Sequence, residues 1–483
     1  MSTLKLGNIH NSLFNFLKQN RGSCLFFFLL GLTLRGIPEL LVSQYPVGYE
    51  TITWYAPPIM TFPGRSVLDV FVQFFQSAPV FYVLMWLVSN VTGAHAFTIL
   101  KVVGPILYGS LIVSFFIFLK KGLKFEWKMA FLASFLLAFQ IAALRDSWDR
   151  FRTVLALIFF FATLTALKSD SKHKWGAVTI LAVLTALSRE YVVLVLFATV
   201  LGFIFLAKKD RITSLVALGP AFTIFIVMVN PGLIKLASNY VSEGQYASRS
   251  YLWVVQDAFV IFAVCYLLLL PFVLRGLRKD RLIGSMTGWL LLSSFSVICP
   301  WFAIPGYQRW LMLLVFPFSV YAVWGFERFH LFNKRRIWML AVIVMIFMII
   351  GVGYSTGTFS YVGQMTNSYV AVNLVQSSIS WDQVDDVKAV LTWLNENAVY
   401  NSSILAEECF YGWTLIYLQR ANQDVKVIPY AAASPPMPAL EVALHDGFNR
   451  IYLIWYTEQG FTNFETIHSK NAISVFQYVS KIA

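Results

Sequence analysis

The chain has 483 residues, of which 58% are hydrophobic and 13% charged, and its mean hydropathy is +0.67. Soluble domains are about half apolar and a quarter charged, so this composition excludes a soluble enzyme and indicates an integral membrane protein. The net charge of +13 does not predict nucleic-acid binding, because lysine and arginine form short clusters between apolar runs, as cytoplasmic loops do. The four cysteines have no CxxC spacing and predict neither a disulfide framework nor a zinc site.

A helix that crosses a membrane needs about 20 mainly apolar residues. The segments that approach this length are residues 23–42, 96–119, 127–144, 151–167, 175–188, 191–207, 212–229, 254–274, 282–300, 310–326 and 337–354. Residues 78–91 form a shorter apolar run, which is more typical of a helix lying on the membrane surface.

The basic clusters set the orientation of these spans. They lie at residues 120–128, 168–174, 208–211, 275–281 and 328–336. All of them share the cytoplasmic side with Lys18 and Arg21 only if residues 78–91 do not cross. We therefore predict a multi-pass protein of the cell membrane with about 11 spans, a cytoplasmic amino terminus and an extracytoplasmic carboxyl end.

The composition becomes more polar after residue 354, which predicts a membrane domain over residues 1–354 and a soluble outer domain over residues 355–483. Alternating strand and helix patterns predict a small α/β domain there. The predicted strands are 403–406, 425–429, 450–455 and 473–479, and the predicted helices are 382–398, 409–419 and 438–446. Neither a GxGxxG motif nor a P-loop is present, so no nucleotide is predicted.

This topology gathers acids, arginines and aromatic residues on the outer face. The first outer loop, residues 43–77, contains Glu50 among aromatic residues, with Gly48 permitting a tight turn and Pro57 and Pro58 expected to stop helix formation. The other outer segments are a loop at 145–152, a tip at 189–191, a loop at 230–253 and a loop at 301–310 that contains Arg309. The inner face carries mainly lysine and arginine, so we expect a reaction site outside.

Four short motifs occur in one order and on one predicted side. They are Pro46-Val-Gly-Tyr-Glu50, Ala78-Pro-Val-Phe-Tyr82 followed by Gly93 and Lys101, Asp149-Arg-Phe-Arg152, and Gly306-Tyr-Gln-Arg309-Trp310. With this layout the chain resembles the GT-C superfamily of membrane glycosyltransferases over roughly residues 20–330. That superfamily includes protein O-mannosyltransferases, aminoarabinose transferases and oligosaccharyltransferase catalytic subunits. Many members have Asp where this chain has Glu50, and the WWDYG motif is absent.

The resemblance implies a polyprenyl-phosphate sugar donor, a membrane-lipid environment, and an acceptor that is a protein, a lipid or a glycan. Arginine suits phosphate oxygens, so Arg152, Arg189 and Arg309 are the predicted phosphate ligands. Glu50 is the predicted base that deprotonates the acceptor, and Asp149 the second catalytic candidate. The remaining candidates for substrate contact are Asp146, Glu190, Tyr49 and Tyr307.

No cofactor follows with certainty from the sequence. Glu50, Asp149 and Glu190 could hold a divalent cation through oxygen ligands, and the resemblance leaves metal dependence open because some relatives use a metal and others do not.

Each candidate also has a plainer interpretation. Glu50 could be a solvated loop acid, and Asp146 and Asp149 could cap the helix at 151–167 with Arg145 and Arg150 as their partners. Arg189 and Glu190 could form a self-paired turn, and Arg309 an interface anchor. The aromatic residues Tyr45, Tyr49, Trp54 and Tyr55 could stack on sugar rings or belong to an interfacial belt.

Three other functions compete with a glycosyltransferase. A transporter or flippase of lipid-linked sugars would place charges near the bilayer midplane and show repeated halves, and we find no internal repeat. A ligase or polymerase of surface polysaccharide would share the donor. A non-enzymatic membrane receptor would use the outer domain to bind a partner.

Overall fold

A computed structural model describes most of the chain. The described residues are 19–42, 44–171, 173–207, 211–242, 251–277, 286–290, 292–293, 307–356, 379–418, 421, 424–430, 436–448, 450–458 and 460–479. Their contacts divide the chain into two compact units. The first unit comprises Met1–Leu41, Gly64–Gly93 and Lys101–Phe359, and the second comprises Val42–Pro63, Ala94–Leu100 and Ser360–Ala483.

Helices dominate the chain up to residue 355, because in lipid a helix satisfies its own backbone polar groups. In chain order they are α1 (Arg21–Leu41), α2 (Ala56–Met60), α3 (Val67–Gln73), α4 (Pro79–Thr92), α5 (Ala96–Ile117), α6 (Trp127–Phe139), α7 (Ile141–Asp149), α8 (Phe151–Leu167), α9 (Lys174–Ser188), α10 (Glu190–Ala207), α11 (Arg211–Ser242), α12 (Tyr251–Tyr266), α13 (Leu270–Leu277), α14 (Tyr307–Leu313), α15 (Val315–Arg328) and α16 (Ile337–Ser355). Two π-helical turns, Thr51–Tyr55 and Phe118–Gly122, and a 3₁₀ turn, Phe75–Ser77, complete this part.

The described helices confirm a multi-pass membrane protein. Five of them are long and apolar enough to cross a membrane, or up to seven segments if each of two bent helix pairs forms one span. Every predicted span except 282–300 coincides with one helix or with two consecutive helices, and most of 282–300 lies outside the described residues. Helices α4, α8 and α9 are apolar but shorter, so the total of about 11 spans stays a prediction.

Two predicted outer loops are wrong. Residues 230–242, expected to begin the loop 230–253, continue helix α11 to Ser242. Residues 141–149, expected to end a span and begin the loop 145–152, form α7, which is buried along its whole length. It is bent by 59° from α6 at Gln140, whose backbone is extended and whose Nε2 donates to Ser319 Oγ at 2.9 Å. The charged residues that suggested a loop are instead paired within the helix.

The carboxy-terminal part is an α/β fold, as predicted. Its elements are α17 (Val384–Asn397), β1 (Ser402–Glu407), α18 (Glu408–Tyr417), β2 (Val425–Tyr430), α19 (Met437–His445), β3 (Arg450–Tyr456), β4 (Phe464–Lys470) and β5 (Ile473–Tyr478). The sheet has the order β2-β1-β3-β5-β4, with β1 parallel to both β2 and β3 and with β5 antiparallel to β3 and β4. All predicted strands and helices are present, and β4 was not predicted.

Candidate active site

A buried arginine in α1 holds the carboxyl end of α7. Arg35 is fully buried; its Nη1 lies 2.6 Å from Glu39 Oε1. Its Nε donates to the carbonyl of Ser147 at 2.9 Å and its Nη2 to that of Trp148 at 3.2 Å. The last carbonyls of a helix lack partners within the helix, so a cation there is stabilising. We did not predict this contact; its only sequence signal is an Arg and a Glu four residues apart inside an apolar span.

Two interlocked ion pairs occupy α7 and the residue after it. Arg145 Nη1 pairs with Asp149 Oδ1, and Arg150 Nη1 pairs with Asp146 Oδ1 at 2.7 Å. All four side chains are buried, and Asp149 is 0% exposed. The interpretation of both arginines as partners of these acids is confirmed. Neither acid caps α8, whose preceding residue is Arg150 and makes no capping bond.

A row of three touching side chains joins the starts of α8 and α10 to α14. The hydroxyls of Thr153 and Tyr191 are hydrogen bonded to each other. The Tyr191 ring in turn packs against that of Trp310, with 5.8 Å between the centroids. Thr153 directly follows Arg152, Trp310 directly follows Arg309, and Tyr191 lies two residues after Arg189, so these contacts bring the three arginines near one another.

Three arginines consequently lie close enough to one carboxylate for their charges to act on it. The positive charges of Arg189, Arg152 and Arg309 all act on Glu190. Arg189 Nε lies 3.5 Å from Glu190 Oε1, and the Arg189 guanidinium lies 4.9 Å from the centre of the Tyr191 ring. Arg189 is buried, whereas Arg152 and Arg309 are partly exposed. The expected pairing of Arg189 with Glu190 is thus present, but as part of a larger group with an excess of positive charge.

Arg152 also connects this group to the short helix α4. Its Nη1 donates to the carbonyl of Ser77 at 2.9 Å, and its guanidinium lies 5.9 Å from the centre of the Tyr82 ring. The Tyr82 ring stacks on Phe74 at 3.8 Å. The second sequence motif, Ala78–Tyr82, therefore lies against the arginine of the third.

Glu50 belongs to the second unit, where it directly precedes the π-helical turn Thr51–Tyr55. Its side chain is half-buried. Gly48 has a φ of 121°, which confirms the tight turn predicted for it. Pro57 and Pro58 do not stop the helix as predicted; they lie in the first turn of α2, where a missing N–H has no cost.

The side chain of Tyr49 points into the second unit. Its hydroxyl is buried and, among the described residues, has no hydrogen-bond partner. Burial raises the pKa of Tyr49 well above its ordinary value, and the negative charges of Glu408, Glu407 and Glu50 raise the pKa further. The phenol of Tyr49, a predicted substrate contact, is therefore harder to ionise than that of an exposed tyrosine.

Two aromatic residues of the first loop, Tyr45 and Tyr55, are packing residues. Tyr45 and Tyr55 are buried, and the Tyr45 ring lies edge-on to Trp413 with 5.1 Å between centroids. Tyr417 donates a hydrogen bond to the Tyr45 hydroxyl at 3.1 Å. Both earlier interpretations of Tyr45, a sugar platform and a membrane belt, are wrong because its ring lies inside the second unit.

The last two predicted features of the site are a metal ion and Tyr307. Within the described ranges, no group of three or more His, Cys, Asp or Glu side chains is arranged to hold a metal ion. Tyr307 begins α14, but its side chain lies outside what the structure describes.

No protein-family model matches the sequence, and no curated protein matches it. Solved structures do match the fold. The arabinofuranosyltransferase AftD from mycobacteria aligns with a TM-score of 0.54 at 10% identity, over 94% of this chain and 40% of AftD. ArnT from Cupriavidus metallidurans bound to undecaprenyl phosphate aligns with a TM-score of 0.52 at 8% identity, over 96% of this chain and 99% of ArnT. Both are GT-C membrane glycosyltransferases.

The chain has a GT-C-like fold. It spans less than half of AftD but nearly the full length of ArnT, so ArnT is the better guide to the arrangement of this chain. The predicted resemblance is thereby confirmed at the level of the fold.

Proposed function

We propose that this chain is a membrane glycosyltransferase that moves a sugar from a polyprenyl-phosphate donor to an acceptor on the outer face of the membrane. The observation that carries the proposal is the group of Arg152, Arg189 and Arg309 around Glu190, in a GT-C-like fold.

The charges of this group suit a lipid phosphate. The three guanidinium groups outnumber the one carboxylate, Glu190, on which their charges act. A phosphodiester donor carries one negative charge, and the released polyprenyl phosphate carries more as the bond to the sugar breaks. Guanidinium groups therefore stabilise the departing phosphate more strongly than the bound donor, which is the condition for accelerating the reaction.

In the proposed reaction an acceptor hydroxyl or amine attacks the anomeric carbon. The bond from that carbon to the phosphate oxygen breaks, and its electron pair leaves with the polyprenyl phosphate. Glu50 takes the acceptor proton, and the sugar is transferred with inversion. No acid is needed because the lipid phosphate is a good leaving group. The outer location follows from the predicted topology, with the amino terminus in the cytoplasm.

The phosphate site is tested with undecaprenyl phosphate as the probe. We compare its binding to the whole protein in nanodiscs with binding to Arg309→Gln and Arg152→Gln. Loss of a charge-assisted hydrogen bond costs about 1.5–3 kcal/mol, so each variant should bind roughly 10- to 100-fold more weakly. The matched control is Arg336→Gln, because Arg336 is an exposed arginine that bonds the carbonyl of Phe329. Unchanged binding in both test variants would overturn the phosphate site.

The base is tested with a panel of undecaprenyl-phosphate pentoses and hexoses labelled in the sugar. Transfer is measured as label moving from the lipid to acceptors in added membranes. Glu50→Gln should lower transfer about 100- to 10,000-fold, to a small residual rate, yet bind undecaprenyl phosphate like the native protein, because only the proton acceptor is removed. Normal transfer by this variant would remove Glu50 as the base.

A further inference from the structure

The parallel strands β2, β1 and β3 end in polar residues at one edge of the sheet. Their last residues are Tyr430, Glu407 and Tyr456. β1 leads through α18 to β2 on one side, while β3 on the other side leads into the β4–β5 hairpin. Open α/β sheets bind ligands where connections diverge in this way. Here the Tyr49 phenol lies beside Glu407 and Cys409, so a segment of the first loop is seated at that edge.

A glycine in α18 permits backbone contact with the π-helical turn that follows Glu50. An ideal Cβ at Gly412 would lie 2.5 Å from the Cα of Thr53 and 2.7 Å from the carbonyl oxygen of Ile52. Both contacts are to backbone atoms, which cannot rotate away as a side chain can. Only glycine therefore lets the turn lie where it does.

Side chains on both sides of this contact hold the turn in position against α18. Tyr45 contacts Trp413 and Tyr417, and Trp54 packs against Tyr411 with 6.2 Å between the ring centroids. Within the turn, Thr51 Oγ1 donates to the carbonyl of Val47 at 3.0 Å and Thr53 Oγ1 to that of Tyr49 at 3.2 Å. The backbone on either side of Glu50 is thus fixed from residue 45 to residue 54.

We propose that α18 is the positioning element of the acidic first loop, with Gly412 and Tyr417 as positioning residues for Glu50. This inference rests on the proposed role of Glu50 as the base. It assigns the carboxy-terminal domain a direct part in catalysis: the domain sets where the Glu50 carboxylate lies. A shift of about 1 Å in a reacting group can cost roughly 100-fold in rate, so the close contact at Gly412 is expected to control turnover.

The test compares Gly412→Ala with Gly460→Ala. Gly460 is the matched control because it is exposed and its added Cβ would meet nothing within 4 Å. Sugar transfer is followed with the labelled undecaprenyl-phosphate panel, and binding of undecaprenyl phosphate is measured separately. We expect Gly412→Ala to lower turnover about 10- to 100-fold with unchanged lipid-phosphate binding, and Gly460→Ala to match the native protein.

A double variant separates positioning from general damage. If Gly412 acts through Glu50, then Gly412→Ala should cause no further loss in the residual transfer of the Glu50→Gln protein. An equal loss in both backgrounds would overturn the inference, as would Gly412→Ala behaving like Gly460→Ala. Normal transfer by Glu50→Gln alone is a different result, because it refutes the proposed base itself.

If Gly412→Ala fails to fold, Tyr417→Phe provides the same test with a smaller change. It removes the hydroxyl that donates to Tyr45 and should lower turnover about 2- to 10-fold, the equivalent of one neutral hydrogen bond. This loss should also disappear in the Glu50→Gln background. Native turnover in Tyr417→Phe would then overturn the inference.

Discussion

Arg35 and Glu39 show how single residues keep charge inside an apolar helix of this protein. Each side chain is almost fully buried, and together they form a contact four residues apart on α1. The other two guanidinium nitrogens of Arg35 donate hydrogen bonds to the carbonyls of Ser147 and Trp148. The positive charge is therefore stabilised both by a carboxylate and by two backbone carbonyl groups. Charges within membrane segments are costly unless they are paired in this way.

We predict that Arg35→Met destabilises the protein strongly. The substitution leaves the Glu39 carboxylate buried without its closest partner and removes the bonds to the end of α7, and breaking a buried pair costs about 3–5 kcal/mol. The measurement is the unfolding midpoint of the purified protein in one detergent, with Arg336→Met as the exposed control. A midpoint equal to that of the control would contradict the structural role of Arg35.

The sequence revealed the chemistry of the candidate residues better than their surroundings. The aromatic neighbours of Glu50 made it a candidate in sequence. The three arginines were candidates because of their residue type and their predicted position on the outer side of the membrane. Their partners could not be predicted, because Gly412, Trp413 and Tyr417 lie far from Glu50 in the chain and carry no motif. The Thr153–Tyr191–Trp310 row is equally invisible in sequence, since it joins three separate helices.

Among the helices, α13 and α15 make an unusually close contact through two glycines. An ideal Cβ at Gly276 would lie 2.0 Å from the carbonyl oxygen of Tyr321, and one at Gly325 would lie 2.0 Å from that of Phe272. Small residues allow helix backbones in a membrane to approach in this way, where packing replaces the hydrophobic effect as the driving force.

We predict that Gly325→Ala lowers stability by about 1–3 kcal/mol, because the added methyl group forces the two helices apart. The matched control is Gly219→Ala in α11, where an added Cβ meets nothing within 4 Å. Thermal denaturation in a single detergent measures the difference. Equal midpoints for the two variants would show that α13 and α15 can separate at no cost.

The short helix α3 offers a pH test, because it begins with a reciprocal cap. Ser66 Oγ accepts from the backbone N–H of Asp69 at 3.1 Å and donates to Asp69 Oδ2 at 2.7 Å. The backbone N–H of Ser66 also donates to Asp69 Oδ2, at 3.2 Å, and the two hydrogen bonds that Ser66 donates to this carboxylate lower the pKa of Asp69 from its ordinary value of 3.8. A lowered pKa in the folded state means that the cap stabilises the helix above pH 3.8 and that this contribution is lost as the pH falls through the lowered pKa.

Backbone amide exchange of residues 67–73, corrected for intrinsic rates, measures this cap. Protection should fall below pH 3.8 in the native protein. In Asp69→Asn it should be weaker at neutral pH and should not change over the same range. A pH-dependent loss of the same size in Asp69→Asn would assign the effect to another group.

Element types were predictable where the pattern was regular. Long apolar runs gave the membrane helices, and alternation gave four of the strands. β4 was missed because Phe464–Lys470 is an edge strand that pairs only with β5 and exposes most of its side chains, so it has no hydrophobic pattern. The sequence predicts a loop at α7 because charged residues normally face water. In the structure, oppositely charged residues four positions apart form ion pairs and neutralise one another, so the helix can be buried.

At the scale of the whole molecule, sequence segments and compact units do not coincide. The first outer loop was predicted as one segment over 43–77, yet Val42–Pro63 belongs to the second unit and Gly64–Gly93 to the first. The acid and the arginines of the proposed reaction thus come from different units, each with its own packing.

We predict that a cysteine at Tyr400 is labelled by a membrane-impermeant thiol reagent on intact cells, whereas one at Arg335 is labelled only after permeabilisation. Tyr400 is 73% exposed and lies in the carboxy-terminal domain, and Arg335 belongs to an exposed basic loop before α16. The physical reason is that clusters of lysine and arginine stay in the cytoplasm. When residues 78–91 do not cross the membrane, all the basic clusters lie on the cytoplasmic side and the carboxyl end lies outside. The unmodified chain measures background labelling of the native cysteines. The reverse pattern would place the carboxy-terminal domain and Glu50 in the cytoplasm, and a donor on the outer face would then be excluded.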